Sequence, residues 1–294
     1  MDEQQKAYCY GIGAVLCWST VATAFKLSLA YLSPAQLVLM ASLASWLFLG
    51  AALAYRGRAS TLSSARPREL LHSLLLGGLN PFLYYLVLFE AYDLLPAQEA
   101  QALNYTWALT MALLAVPLLR HPLRPMEILA ALVCYCGVLV IATRGQLTTL
   151  DFANPLGVGL ALLSTVLWAL YWLFNTSERR DPVLALFLNF SFALPMLLIY
   201  CLWQGELRPV PWQGVAGALY VGIFEMGLSF ILWLQAMRLT RSTIRISSLI
   251  FIAPPLSLVL IYFVLGEAIL WSTLVGLVLI LGGLGLQHLQ RGDP

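Results

Sequence analysis

Ten stretches of roughly 20 mostly apolar residues, separated by short polar breaks, dominate the sequence. A helix crossing the ~30 Å hydrocarbon core of a bilayer needs about 20 such residues at 1.5 Å of rise each. The stretches are 7–29, 34–55, 70–92, 96–118, 125–143, 155–174, 182–203, 212–237, 242–265 and 268–289. Their apolar runs are continuous, whereas the strands of a membrane barrel alternate over about 10 residues, so helices are expected. The longest connection, Arg56–Glu69, has 14 residues and leaves no room for a soluble domain. Composition agrees: 61% of the 294 residues are hydrophobic and 10% charged, against about 45–50% and about 25% in soluble domains. Soluble globules, disulfide scaffolds and disordered chains are excluded. A net charge of +2 gives no basic excess for nucleic acid. The expected fold class is an all-α membrane protein with ten transmembrane helices.

Lys and Arg placement sets the expected orientation. With the N-terminus inside, the cytoplasmic segments hold Lys6, Arg56, Arg58, Arg66, Arg68, Arg120, Arg124, Arg179, Arg180, Arg238, Arg241 and Arg291. The external loops hold Arg144 and Arg208 alone. Both termini are therefore expected in the cytoplasm. The first span has no small-residue cleavage site and reads as a retained helix, not a signal peptide. Cys9, Cys17, Cys134, Cys136 and Cys201 all fall inside spans. Cys134 and Cys136 point to different helix faces, so neither a zinc site nor a disulfide is expected.

The chain divides near residue 150 into two sets of five spans, 1–148 and 149–294. At an offset of 145–146, Gly11 and Gly13 match Gly157 and Gly159, and Gly77-Gly78-Leu79-Asn80 matches Gly222-Ile223-Phe224-Glu225. Ala91 likewise matches Ala236, Leu94 matches Leu239, and Gly137 matches Gly283. Because five is odd, the second half enters the membrane from the opposite side, giving inverted repeats. Secondary transporters commonly have this architecture, which serves alternating access.

Groups for chemistry on substrate are missing. Asp2, Asp93, Asp151, Asp181 and Asp293 lie in loops or tails, and His72, His121 and His288 are scattered. No zincin, nucleophile-elbow or phosphate-loop motif occurs. Lys26 is the only intramembrane lysine and lies near a span end, which argues against a retinal protein. An enzyme is not expected, nor any metal or other cofactor.

Ionisable residues inside spans are costly and mark candidate function. Glu225, near the middle of span 8, reads either as a substrate-contact or coupling group or as a hydrogen-bonded structural Glu. Lys26, Glu90 and Glu99 fall at the external level of spans 1, 3 and 4, as a gate or as an interfacial salt bridge. Arg245, one turn into span 9, serves the inner mouth or snorkels to lipid phosphates.

Trp18, Trp107 and Trp168 fall at mid-depth near the level of Asn80 and Glu225, with Tyr84 one turn from Asn80 and Tyr105 beside Asn104. Trp203, Trp212 and Trp271 lie instead at span ends, where an aromatic belt forms. Trp46 is mid-span without a polar companion. The expected substrate cavity is thus lined by Trp18, Asn80, Tyr84, Tyr105, Trp107, Trp168 and Glu225. Pro81, Pro117, Pro195 and Pro254-Pro255 bend their spans, the pair marking the expected discontinuity near a central site. Gly276, Gly282, Gly283 and Gly285 permit close helix packing, within the chain or in a homodimer.

Two stretches resemble the EamA-type members of the drug/metabolite transporter superfamily. Ala14-Val-Leu-Cys-Trp-Ser-Thr-Val-Ala-Thr-Ala-Phe-Lys26 is similar to the first-helix pattern of small residues around a Trp, with Lys or Arg near the end. Gln235-Ala-Met-Arg-Leu239, followed by Pro254-Pro255 and Gly266-Glu267, resembles the second-half pattern. Within the superfamily, Gln98-Glu-Ala-Gln-Ala-Leu-Asn-Tyr-Thr-Trp107 is similar to the Asn-Tyr-x-Trp signature of YddG-type amino-acid exporters. It departs at Ala108, where that signature continues with Pro; the departure bears on a bend in span 4 and on the particular substrate. The resemblance implies a multi-pass protein of a bacterial-type inner membrane. It would export amino acids or related small metabolites by alternating access, with a lipid-linked flippase or drug exporter as the alternative on the same fold. The expected partners are a small-molecule substrate and the lipid bilayer, with no nucleic acid.

Overall fold

The computed structural model describes residues 1–57, 66–119, 125–147, 154–175, 178, 180–240, 246 and 248–290. Helices among the described residues are, in chain order, α1 Glu3–Leu29, α2 Pro34–Tyr55, α3 Pro67–Leu94, α4 Ala97–Asn104, α5 Trp107–Leu119, α6 Pro125–Ala142, α7 Pro155–Asn175, α8 Pro182–Trp203, α9 Trp212–Leu239, α10 Ser248–Leu265 and α11 Trp271–Gln290. No strand occurs among the described residues. Among the described residues, seven helices (α1, α2, α3, α7, α8, α9 and α10) are long and apolar enough to cross a membrane. The apolar parts of α6 and α11, Ile128–Ala142 and Trp271–Leu286, are shorter.

The helix starts are written locally. Asp2 and Ser33 accept from the backbone N–H groups of Gln5 and Gln36, whose side chains reach back in capping boxes. Pro34, Pro67 and Pro182 sit at first-turn positions, where a missing N–H costs nothing. Gly266 ends α10 at φ +68, a conformation glycine adopts without strain. The chain then turns so that the Glu267 carboxylate accepts the N–H groups of Ala97 (3.0 Å) and Gln98 (3.4 Å). A carboxylate from the far half of the sequence thereby caps the positive end of α4.

Three long helices are irregular. Asn80 has an extended backbone (φ −144, ψ 117) inside the π-helical segment Gly78–Leu83, which interrupts α3. The segment Val221–Leu228 of α9 is also π-helical and carries Glu225. In α10 the discontinuity precedes the proline pair: Ser248–Ile252 is a 3-10 turn, and α-helix resumes at Ala253 with the prolines in its first turn. The stretch 96–118, expected as one span, is broken at Tyr105–Thr106 into α4 and α5 without any proline there.

Packing joins the two halves of the sequence. α1 packs on α9 and α10, and α7 packs on α3, α4 and α5; α2 lies along α8, and α6 along α11. Glycines permit the closest approaches. A Cβ on Gly77 would stand 2.3 Å from the Asn189 carbonyl oxygen of α8, and one on Gly222 2.2 Å from the Ala41 carbonyl oxygen of α2. Gly276 and Gly283 are used inside the chain, against Gly137 and Ala130, while Gly282 and Gly285 have open space. Trp203, Trp212 and Trp271 are exposed at helix ends.

Candidate functional site

A cavity of about 120 Å3 lies where α1, α3, α4, α5, α7, α9 and α10 converge. Its wall carries Trp18, Val21, Ala22, Phe25, Tyr84, Leu88, Tyr92, Gln101, Asn104, Tyr105, Trp107, Trp168, Trp172, Glu225, Trp233 and Ile250. Trp168, 9% exposed, is the hub of the aromatic part. Its ring centroid lies 4.5 Å from Tyr84, 5.8 Å from Trp172, 5.9 Å from Tyr171 and Phe230, and 6.5 Å from Trp107. Elsewhere on the wall Trp18 meets Trp233 at 5.1 Å. These edge-on and offset ring contacts add directional preference to apolar burial and fix the wall's shape.

The polar groups are few and specific. Glu225 Oε1 accepts the Tyr85 hydroxyl at 3.2 Å, while Oε2 is buried with no hydrogen-bond partner among the described residues. The Ser229 hydroxyl donates to the Glu225 carbonyl, and the Ser45 hydroxyl donates to the Met226 carbonyl at 3.1 Å. Side chains thus take up carbonyls of the π-helical segment. Asn104 Nδ2 donates to Ser164 Oγ at 2.9 Å, tying α4 to α7. Gln101 Oε1 is buried and unpartnered.

Of the seven residues expected to line the cavity, Trp18, Tyr84, Tyr105, Trp107, Trp168 and Glu225 stand together on its wall. Asn80 does not. It is buried beside Tyr171, behind the ring layer, because its extended backbone takes the side chain off the face that Tyr84 presents. The wall also carries Phe25, Tyr92, Gln101, Trp172 and Trp233, which are not among the residues expected from the sequence. Three carried a periodic signal: Trp172 is one turn after Trp168, Gln101 one turn before Tyr105, and Trp233 two turns after Glu225. Trp46 is occupied elsewhere, donating to Ser191 Oγ at 2.8 Å and stacking on Phe187.

Lys26, Glu90 and Glu99 do not pair with one another. Glu99, 1% exposed, takes the Arg144 guanidinium at 2.8 Å (Nε to Oε1), and Lys26 Nζ reaches the Asp93 carbonyl at 3.5 Å. Glu90 is exposed. Arg245 lies outside the described residues. No group of three His, Cys, Asp or Glu among the described residues could hold a metal ion.

Near the start of α8 stands a second polar cluster. Arg180 donates to Glu178 through Nε at 2.8 Å and also through Nη2, which reaches Ser73 Oγ at 2.8 Å as well. His72 Nδ1 is 3.4 Å from Glu178 Oε2. Hydrogen bonds from Arg180 hold the Glu178 carboxyl at a pKa of about 2, below the usual carboxylate range.

Helices of bilayer length with lipid-compatible faces, converging on a cavity with a buried carboxylate, define a multi-pass membrane protein. The EamA-like transporter family matches this chain twice, over residues 5–143 and 155–287, and the chain belongs to that family. It is 28% identical over 285 residues to the aromatic amino acid exporter YddG of Ancylobacter novellus, covering 95% of this chain and 96% of that one. Identity is 24% over 270 residues to the uncharacterized transporter YvbV of Bacillus subtilis (90% and 86% covered). It is also 24% over 282 residues to an uncharacterized transporter of Archaeoglobus fulgidus (92% and 93% covered). A solved crystal structure shares the fold at a TM-score of 0.65, with 24% identity and 99% of each chain covered.

Proposed function

We propose that the protein is a secondary transporter that exports amino acids or related small metabolites by alternating access. The observation that carries this reading is the ring-walled cavity with a single buried carboxylate. Its volume, about 120 Å3, is of the order of the ~150 Å3 engineered cavity that accepts benzene. In this reading Trp18, Tyr84, Tyr105, Trp107 and Trp168 hold the apolar part of the solute. Glu225 Oε2 and Gln101 Oε1, both unpartnered, accept from its ammonium. Asn80 acts from behind the wall, through Tyr171. Similarity to the aromatic amino acid exporter of Ancylobacter novellus supports an amino-acid substrate.

The architecture proposed is ten spans in two inverted five-helix repeats, 1–148 and 149–294, with α4 and α5 forming one broken span. The double family match supports it. So does the way contacts exchange between halves: α1 on α9 mirrors α7 on α3, and α2 on α9 mirrors α8 on α3. The charge bias supports both termini in the cytoplasm of a bacterial-type inner membrane. At the outer mouth Lys26, Glu90 and Glu99 gate together with Arg144; Arg245 belongs to the inner mouth. The open glycines Gly282 and Gly285 leave a face for a homodimer. Proteoliposomes with a labelled amino-acid panel test the reading: protein-dependent, saturable flux of at least one member is expected, and none for any member refutes it. Trp107→Ala, at a part-buried wall position, should cut flux while the protein still folds.

A further inference from the structure

A second cavity, of about 160 Å3, lies beside the first, on its Arg180 side. Its wall includes Tyr171, Trp172, Arg180, Asn189, Phe230 and Leu234. Membrane-protein interiors normally satisfy their polar groups internally, yet here three are left over. Arg180 Nη1 is buried without a partner, although its Nε and Nη2 are fixed by Glu178 and Ser73. Asn189, 1% exposed, has neither its Nδ2 nor its Oδ1 in a well-formed hydrogen bond, and it lies near the Tyr171 hydroxyl. Trp172 Nε1 is likewise unpartnered. A guanidinium held rigid on two sides with one donor spare is arranged to receive an acceptor.

The charge balance narrows the ligand. Glu178 neutralises Arg180, so the cavity is no general anion trap. Both carboxylate oxygens of Glu178 are already engaged, by Arg180 and by His72. The buried, unpartnered atoms on its wall are donors at Arg180 Nη1, Asn189 Nδ2 and Trp172 Nε1, and an acceptor at Asn189 Oδ1. That set matches a zwitterion, with the carboxylate on the donors and the ammonium on the amide oxygen.

The cavity also lies on a path. Trp172 lines both cavities. Its ring is near-parallel to Phe230 (6.4 Å, 12°), and Trp168 stands edge-on to both. These rings form a septum, and movement of Trp172 would join the two chambers. We propose that the second cavity is a loading subsite that binds the α-carboxylate of an amino-acid zwitterion before its side chain passes to the aromatic chamber. The proposal rests on the exporter reading above.

The test is sided transport kinetics in proteoliposomes of the full chain, for an amino acid the wild type carries and for its carboxamide. Asn189→Leu removes one donor; Arg180→Lys keeps the charge and loses the planar donor. Losing a hydrogen bond to a charged group corresponds to roughly a tenfold or greater loss of affinity. KM for the amino acid should therefore rise about tenfold when substrate is presented from the Arg180 face. KM from the other face, and for the carboxamide on either face, should stay near wild type. An unchanged KM in both folded variants means the cavity holds water only and overturns the proposal. A rise of equal size for the carboxamide, or from both faces, overturns it too. Absence of any amino-acid flux in the wild type sinks the exporter reading itself, a different result from wild-type flux with unaffected variants.

Discussion

Gly222 is the position where packing and site are most tightly joined. It lies three residues before Glu225 on the π-helical segment of α9, with α2 against it. A methyl group there would stand 2.2 Å from the Ala41 carbonyl oxygen and 2.7 Å from Ala44 Cβ. Ordinary contact begins near 3.5 Å, so Gly222→Ala must push α2 and α9 about 1 Å apart. The obstacle is backbone, so no side chain can swing aside. Overpacking of this kind costs about 1–3 kcal/mol. Alanine's better helix propensity, worth up to about 1 kcal/mol, opposes it. Gly159→Ala supplies the correction, because nothing stands within 4 Å of a Cβ at Gly159. Denaturant unfolding in detergent, followed by tryptophan fluorescence, should rank Gly159→Ala at or above wild type. Gly222→Ala should fall about 1–3 kcal/mol below it. Displacing α9 also shifts Glu225 relative to Tyr85, so flux should fall in Gly222→Ala and persist in Gly159→Ala. Equal stability of the two variants would refute the close-approach argument.

Trp168→Ala removes the ring that touches five other aromatics; a thermal or chemical unfolding measurement should show a loss of about 3–5 kcal/mol, together with loss of flux. Glu267→Ala leaves the N–H groups of Ala97 and Gln98 without their carboxylate, at about 1 kcal/mol, whereas Glu267→Gln keeps an acceptor and should lose less in the same assay. The Glu178 carboxyl is lowered from 4.5 to about 2. Its stabilisation is therefore fully present above pH 4.5 and is lost as pH falls toward 2. The stability gap between wild type and Glu178→Gln should hold from pH 7 to 5 and close in strong acid; a gap that closes near neutrality would contradict the pairing with Arg180.

The helices were legible because bilayer thickness turns into a count of apolar residues. Their irregularities were not, since hydropathy registers which side chains a stretch carries and is blind to its hydrogen-bond ladder. Asn80 shows the consequence. The sequence places it one turn from Tyr84, but the extended backbone at that residue sets it beside Tyr171 and off the cavity wall. Glu99 shows another: residues at one level need not share an azimuth, and its partner is Arg144 at the end of α6, not Lys26. Arg180 is one of the charges that set the expected orientation, yet it is nearly buried against Glu178 and Ser73. Trp172 and Gln101 were within reach, one helical turn from residues already chosen.

The π-helical segments of α3 and α9 suggest why the proposed motion would meet little resistance. Each is preceded or opened by a glycine three residues before a buried polar group, Gly77 before Asn80 and Gly222 before Glu225. Each glycine admits one neighbouring helix to backbone contact, α8 on Gly77 and α2 on Gly222. α2 and α8 also pack on one another, so the close approaches form one chain: α3 on α8, α8 on α2, α2 on α9. Rocking the halves in opposite senses would exchange the roles of the two ends of this chain without creating a new kind of contact. Two arrangements built from the same contacts differ little in free energy, and a carrier needs that near-balance if solute binding is to tip it. Asn80 and Glu225 break the correspondence, because one is an amide behind the wall and the other a carboxylate on it. The inequality falls at the level of the cavity, so in the proposed repeat the halves share a scaffold while, among the described residues, α9 contributes the carboxylate on the wall.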